Sequence, residues 1–498
     1  MGKNNKGKLS LMALILMIFT SVFGFANIPR AYFLMGYSAI PWYIFGAICF
    51  FIPYAFMMAE FGAAFKDEKG SIYVWMQRSV GRKFAFIGTF MWFASYIVWM
   101  VSVSSSIWIP LSNLIFGEDR TSTWSLFGLT SSQTLGILGA VFVILITFLS
   151  SRGIKSIFVT SANLLLIIGS LIIFFANGFK AAQPLNISEF VNSPNPAYGT
   201  VLAVLGFLVF AIFAYGGLEA VGGLVDQTED ANKNFPKGIK ISAIVIGVGY
   251  SLAILMVGLF TNWQEVLSAS NVKMANVAYI VIKNLGVELG KVFGLSSHGI
   301  ELMGMWFARY IGLAIFLALL GAFFTLIYSP LKQLIEGTPK EIWPESWTKI
   351  NEENGMPVNA MWIQCITVVA IIAIVVITGG KSSSFLDYLI LMGNVAMTIP
   401  TMFLAVAFIY FKKNDNIKKT FIFFKNKTVA TIWAIIVTIT VGFANIFTIL
   451  QPAIESKDYV STGFQLIGPI VFGLIAFFLI TRYEKKYGSK DDSIDKIA

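Results

Sequence analysis

The stretch TSVFGFANIPRAY, Thr20–Tyr32, occupies the middle of the first long apolar run of the chain. A simple membrane anchor has no need of Thr, Ser, Gly, Asn, Pro and Arg at its centre. A helix opens at bilayer depth only where its freed amides and carbonyls face protein or a water-filled cavity, because lipid satisfies neither. Gly24 lowers the cost of leaving helical geometry, Pro29 has no amide to donate, and Thr20, Ser21 and Asn27 hydrogen-bond locally or to a solute. Taken alone, the stretch reads equally as a kink or as half of a binding site.

The rest of the chain fixes the solvent. Of 498 residues, 57% are hydrophobic and 12% charged, and mean hydropathy is +0.76. Soluble domains hold about 25% charged residues, whereas about 20 consecutive apolar residues suffice to cross a bilayer as a helix. Hydropathy predicts twelve spans: Leu9–Gly36, Ile40–Phe65, Phe84–Phe116, Thr134–Ser150, Phe158–Gly178, Tyr198–Val225, Gly238–Asn262, Leu302–Ile327, Met361–Thr378, Phe385–Phe411, Val429–Leu450 and Phe464–Thr481. Leu9–Ala26 runs into the second span without an A-x-A-like processing site, so it is expected to stay as a span and not to be removed as a signal peptide.

Charge orients the spans. With the amino end inside, 27 of the 36 Lys and Arg fall in cytoplasmic segments, eight fall outside or, for Arg30, toward the outer end of a span, and Arg309 lies within a predicted helix. Cytoplasmic loops are the basic ones, so both termini are expected in the cytoplasm. The +10 net charge is then accounted for by topology and contact with anionic lipid, with no nucleic acid partner.

Several chemistries find no support. Cys49 and Cys365 lie in apolar spans and suggest neither disulfide nor zinc site. His298 is a lone imidazole in a predicted outer loop. There is no GxxxxGK[ST] phosphate loop to drive pumping by ATP. Gly247 and Gly249 follow no strand and read as close helix packing. No metal, cofactor or enzymatic activity is expected.

A second interruption sits in the sixth span, FAIFAYGGLEAVGGLVDQTED, Phe210–Asp230, where glycine pairs at Gly216–Gly217 and Gly222–Gly223 flank Glu219. Two broken helices five spans apart fit an inverted repeat of five plus five helices. Helix amino ends attract a carboxylate and exposed carbonyls accept from an ammonium, and a zwitterionic amino acid carries both groups. The expected substrate contacts are therefore Ser21, Val22, Phe23 and Gly24 for the carboxylate, with Ala214, Tyr215, Gly216 and Gly217 near the amine.

Three charged residues are candidates for coupling or gating. Glu219 is untenable as a free charge in hydrocarbon, so it either caps the broken helix or takes part in proton-linked gating. Glu60, in MMAEFG, either anchors an inner loop or forms a gate. Arg309 either snorkels to the interface, pairing with Glu301 or a carbonyl, or belongs to an outer gate. Phe23 and Tyr215 adjoin the breaks and are the aromatic candidates for sliding doors.

From LSLMALILMIFTSVFGFANIP through FLVFAIFAYGGLEA, the chain resembles the amino acid, polyamine and organocation permease superfamily, nearest its bacterial glutamate/GABA antiporter branch and that branch's inner-membrane relatives. MAEFGAAFKDEKGSIYVWMQRSVG (58–81), GGLEAVGGLVDQTEDANKNFPKGI (216–239) and SPLKQLIEGTPKEIWPESWTKINEENGMPV (329–358) carry the resemblance in order. It implies an all-α membrane protein in which residues 9–411 form the ten-helix repeat, helices one and six are unwound around the substrate, and residues 429–481 add helices eleven and twelve. Residues 1–8 and 482–498 are then short cytoplasmic tails in the bacterial inner membrane. It also implies that Glu219 matches a helix-six glutamate linked with proton sensing. The GSG-like signature of the wider superfamily is replaced by Ser21, Val22, Phe23 and Gly24, and with 17 residues after Thr481 a plug-based pH switch is not expected. The expectation is a secondary amino acid or amine transporter, with a substrate-gated channel and a non-transporting receptor as alternatives; oligomeric state is left open.

Overall fold

A computed structural model of the chain describes residues 9–68, 71–149, 158–225, 228–327, 329–351, 357–377 and 383–488. Regular structure among them is helical, with one isolated bridge between Leu9 and Thr228. The first predicted span is two helices, α1 (Leu11–Val22) and α2 (Asn27–Met35). Pro29 falls in the first turn of α2, where its missing amide has no intrahelical partner to lose. It therefore begins a helix and does not bend one. Gly36 ends α2 at φ +58° with the Pro194 ring 2.7 Å from where a Cβ would stand, so this turn admits no side chain.

Next, α3 (Ala39–Gly46), a π turn at Ala47–Phe51 and α4 (Ile52–Ala64) run on as one helical stretch. They are followed by α5 (Ile72–Ser79), α6 (Arg82–Ser106), α7 (Trp108–Phe116), α8 (Ser131–Leu149), α9 (Phe158–Ala176), the short α10 (Ile187–Val191) and α11 (Val201–Phe213). After a 3-10 segment at Leu218–Leu224 come α12 (Ala231–Phe260), α13 (Trp263–Val266), α14 (Val277–Val292), α15 (Ser297–Leu326) and α16 (Ser329–Gly337). The chain closes with α17 (Val358–Ile377), α18 (Ser383–Lys413), α19 (Lys427–Glu455) and α20 (Tyr459–Tyr487). Among the described residues, eight helical stretches are long and apolar enough to cross a membrane.

The centre is α12, which packs on α1, α2, α3, α4 and α9. Its glycines permit the approach: a Cβ on Gly238 would meet Leu14 at 2.7 Å, one on Gly249 Phe23 at 3.3 Å, and one on Gly247 Ile52 at 3.4 Å. A second apolar cluster, including Val101, Phe142, Phe323, Cys365 and Ile372, joins α6, α8, α15 and α17. On the periphery, α20 leaves Leu474 and Phe478 61% and 64% exposed. Large apolar side chains lie outward there, as lipid requires and water does not.

The segment 261–301 differs from the long connection expected of it. It contains α14, which buries Val277, Val281, Ile282, Leu285 and Leu289 against α15, α9 and α2. These positions recur at the three- and four-residue spacing of one helix face, while Lys283, Glu288 and Lys291 lower its mean hydropathy. The segment 329–358 forms α16 and a 3-10 turn at Lys340–Ile342. Residues 352–356 and the two tails, 1–8 and 489–498, lie outside the described residues.

Candidate functional site

The first break is Phe23–Ala26. Ser21 and Val22 remain in the last turn of α1, where the Ser21 hydroxyl donates back to the Met17 carbonyl at 2.7 Å. The Phe23 amide still closes a helical turn on the Phe19 carbonyl at 2.7 Å. Within the first break, the amides left without a protein partner are those of Phe25 and Ala26, directly before α2. The donors available to an anion thus lie later than Ser21–Gly24, because α1 persists for one residue beyond its polar side chains.

The second break follows Phe213. The amides of Ala214, Tyr215 and Gly216 turn back onto Phe210, Ile212 and Phe213, and Gly217 then takes φ +106° before the 3-10 segment. A Cβ at Gly217 would stand 2.8 Å from the Ser21 carbonyl. Only glycine suits both that backbone region and that approach.

One side chain joins the two breaks. The fully buried Tyr250 hydroxyl, on α12, accepts the Gly24 N–H at 2.8 Å and stands 3.0 Å from the Ala214 carbonyl and 3.1 Å from that of Val22, donating its single proton to one of them. The Phe23 ring stacks on Phe19 (4.6 Å) and lies tilted against Tyr250 (4.4 Å). Tyr215 is also fully buried, stacked on Phe51 at 4.9 Å and donating to the Tyr43 carbonyl at 3.1 Å. As sliding doors, Phe23 has ring contacts to break and Tyr215 a hydrogen bond as well.

Glu219, 4% exposed, places Oε1 2.9 Å from the Tyr54 hydroxyl and 2.5 Å from that of Thr401. It thereby ties the segment after the second break to α4 and α18. Glu60 is fully buried and has a different partner set: Lys412 Nζ at 2.8 Å, with the Phe423 and Phe424 amides at 2.9 and 2.8 Å. Lys412 also donates to the Phe424 carbonyl at 2.7 Å. Glu60 therefore anchors the loop between α18 and α19. Arg309 lies over the Trp306 ring at 5.2 Å, its Nε buried without a hydrogen-bond partner. Among the described residues no ion pair joins it to Glu301.

Both ends of the broken pair are tied. Where the described chain begins, the Leu9 carbonyl accepts the Glu229 amide at 2.9 Å. At the opposite end, Tyr32 donates to the Thr261 carbonyl at 2.8 Å, Trp263 Nε1 to the Phe33 carbonyl at 2.8 Å, and the Trp263 amide to Gln183 at 3.0 Å.

The family model of the amino acid permeases matches residues 9–477. The chain belongs to the amino acid permease family. Its relatives include the inner membrane transporter YjeM of Escherichia coli, 52% identical over 485 residues and 96% of each chain. The glutamate/gamma-aminobutyrate antiporter of Lactococcus lactis subsp. lactis is 24% identical over 464 residues, 91% of this chain and 85% of that one. A solved manganese transporter variant of Eremococcus coleocola superposes with a TM-score of 0.56 at 13% identity, over 94% of this chain and 95% of its own, a likeness of fold alone. The permease is a membrane transporter and not an enzyme.

Tyr250, Tyr54, Thr401 and Lys412 were not among the residues that sequence reading singled out. Each meets its partner across more than 150 residues of sequence, and none stands in a motif of its own. A tyrosine inside an apolar span, or a lysine directly at the end of one, was the available signal, since buried polar groups seek partners.

Proposed function

We propose that this permease is a secondary active transporter that moves an amino acid or a related amine across the bacterial cytoplasmic membrane by alternating access. The observation that carries the reading is the joining of two helix breaks through Tyr250, with the Phe25 and Ala26 amides open beside them. In this reading twelve helices cross the membrane with both termini inside, and the first ten form two inverted repeats. The first and sixth helices open around the substrate at Phe23–Ala26 and Ala214–Gly217. The substrate carboxylate takes the α2 amino end, and its ammonium takes break carbonyls. Access alternates by releasing the Tyr32, Trp263 and Gln183 ties on one side and the Leu9–Glu229 tie on the other. Glu219 is the proton-linked group; Phe23 and Tyr215 move as doors; Glu60 and Arg309 hold structure. The YjeM relationship supports the inner membrane, and the antiporter relationship supports exchange.

Counterflow of a radiolabelled amino acid panel into liposomes holding the purified protein tests the reading. Obligatory exchange is the expected result. Large uncoupled conductance identifies a channel, and binding without flux identifies a receptor. Labelling of cysteines placed at Lys3 or Lys490 from outside sealed cells would overturn the topology.

A further inference from the structure

The turn between α7 and α8 holds a residue that its backbone disfavours. The Leu129 N–H donates to the Leu126 carbonyl at 2.9 Å, the Ser125 hydroxyl donates to the Leu129 carbonyl at 2.9 Å, and the two central residues take φ +53° at Phe127 and φ +77° at Gly128. Two positive φ values in succession are those of a type I′ turn, whose central positions favour asparagine, aspartate and glycine. A bulky side chain in that region is a genuine outlier. Phe127 nevertheless stands there, and its ring is wholly exposed. A turn surrounded by water gains nothing from such a choice.

Helix geometry gives the direction in which the turn faces. Thr134, Val141 and Phe148 recur at seven-residue spacing and so share one face of α8, drifting by only about 20° per repeat. Val141 and Phe148 are exposed, as are Ile137, Ile144 and Leu145 beside them, and together they form the outward apolar face of a helix long and apolar enough to cross a membrane. Thr134 lies on that same face and yet is buried, because the turn covers it: the Thr134 hydroxyl accepts the Leu126 N–H at 3.1 Å. The turn is therefore folded down onto the lipid-facing side of α8. Its depth follows as well. The 19 residues of α8 rise about 28 Å, close to the roughly 30 Å of bilayer hydrocarbon, so Thr134, in the first turn, stands near the boundary between acyl chains and headgroups.

We propose that the turn 125–129 is a membrane-interface anchor, with the Phe127 ring and the Leu126 side chain entering the bilayer at the boundary between headgroups and acyl chains. The occupant is lipid because the turn continues an outward apolar face at the depth where lipid meets it, and Phe and Leu are side chains that interfacial segments bury at that boundary. The anchor also accounts for the sequence of the turn: the ring is tolerated at a disfavoured φ because it leaves water. Since α8 packs mainly on α17 and α6, the anchor grips the second apolar cluster and not the broken helices.

The experiment attaches a nitroxide to Phe127→Cys, and separately to Leu126→Cys, in protein carrying Cys49→Ala and Cys365→Ala, reconstituted in phosphatidylcholine and phosphatidylglycerol liposomes. Collision with oxygen, which concentrates in lipid, is compared with collision with a water-soluble nickel chelate present on both sides. Val141→Cys is the lipid reference, and Asn186→Cys, exposed in the connection between α9 and α11, is the aqueous one. Both turn positions are expected to give an oxygen-to-nickel ratio above that of Asn186→Cys and below that of Val141→Cys. If labelling at Phe127 disturbs the turn, Leu126→Cys still decides. A ratio equal to the aqueous reference places the turn in water and overturns the anchor; nitroxides immobilised and shielded from both reagents place a second copy or another protein on the turn and overturn it too. Adding Phe127→Asn to Leu126→Cys keeps a residue suited to φ +53° while removing the ring. The Leu126 nitroxide is then expected to shift toward the aqueous ratio, and an unchanged ratio removes Phe127 as the anchoring side chain.

Discussion

Tyr250→Phe isolates the hydroxyl that joins the two breaks. The ring remains, and with it the contacts at 4.4 Å to Phe23 and 5.2 Å to Tyr215, so no cavity forms. What is lost is one acceptor and one donor. The Gly24 amide keeps a strained contact to the Val22 carbonyl at 3.1 Å, whereas the Ala214 carbonyl loses its 3.0 Å partner. A buried polar group left unpaired costs about 1–3 kcal/mol. If that loss falls on the state in which the breaks are held together for substrate, affinity drops by about 5- to 150-fold.

Initial exchange rates against substrate concentration separate this from general damage. KM is expected to rise while the variant still reconstitutes and unfolds cooperatively, since the ring packing persists. An unchanged KM with a lowered melting temperature would refute the reasoning: the hydroxyl would then hold the fold and not the site.

Other changes probe other parts of the site. Glu219→Gln is expected to flatten the pH dependence of exchange between acidic and neutral conditions, and an unchanged normalised profile would remove it as the proton-linked group. Lys412→Met leaves Glu60 buried beside two amides without its cation; breaking such a pair costs roughly 3–5 kcal/mol, read as a lower melting temperature that the added Glu60→Gln partly restores, with transport per folded molecule kept. Gly217→Ala forces a side chain into the left-handed region at φ +106° and against the Ser21 carbonyl; about 1–2 kcal/mol is expected from the backbone alone, seen as weakened exchange beyond that of Gly216→Ala.

What was legible in the sequence was local. Gly24 and Pro29 mark the first break because glycine and proline act on their own backbone, and Gly216–Gly217 mark the second for the same reason. The first break, Phe23–Ala26, lies within the polar stretch that marks it, but the Ser21 hydroxyl turns back onto the Met17 carbonyl inside α1, so that side chain does not mark the open amides. Helix α14 was hidden because three charged residues on its open face diluted a hydropathy average that ignores periodicity. The partners of Glu219 and Glu60 were illegible for a different reason. Thr401 is 182 residues from Glu219 and Lys412 is 352 from Glu60, and such pairs form only once α18 has packed against α4 and the second break.

The two buried glutamates show why partners, and not burial, separate a structural carboxylate from a switchable one. Glu60 receives a lysine and two backbone amides, all of which can only donate. Adding a proton there would leave a donor with nothing to accept it and a lysine without its anion, so the arrangement holds one charge state. Glu219 receives two hydroxyls, each of which donates or accepts by rotating its hydrogen. With the carboxylate ionised, Tyr54 and Thr401 both donate to Oε1; with it protonated, one hydroxyl turns and accepts. The same three oxygens, Glu219 Oε1 and the two hydroxyls, therefore keep a hydrogen bond to the carboxyl in both states without a change of fold, and no cation among the hydrogen-bond partners of Glu219 is stranded when the charge is lost. Because Glu219 sits directly after the second break, a change in which way those hydroxyls point is felt by the segment that closes the site. That supports Glu219 as the coupling residue and Glu60 as an anchor.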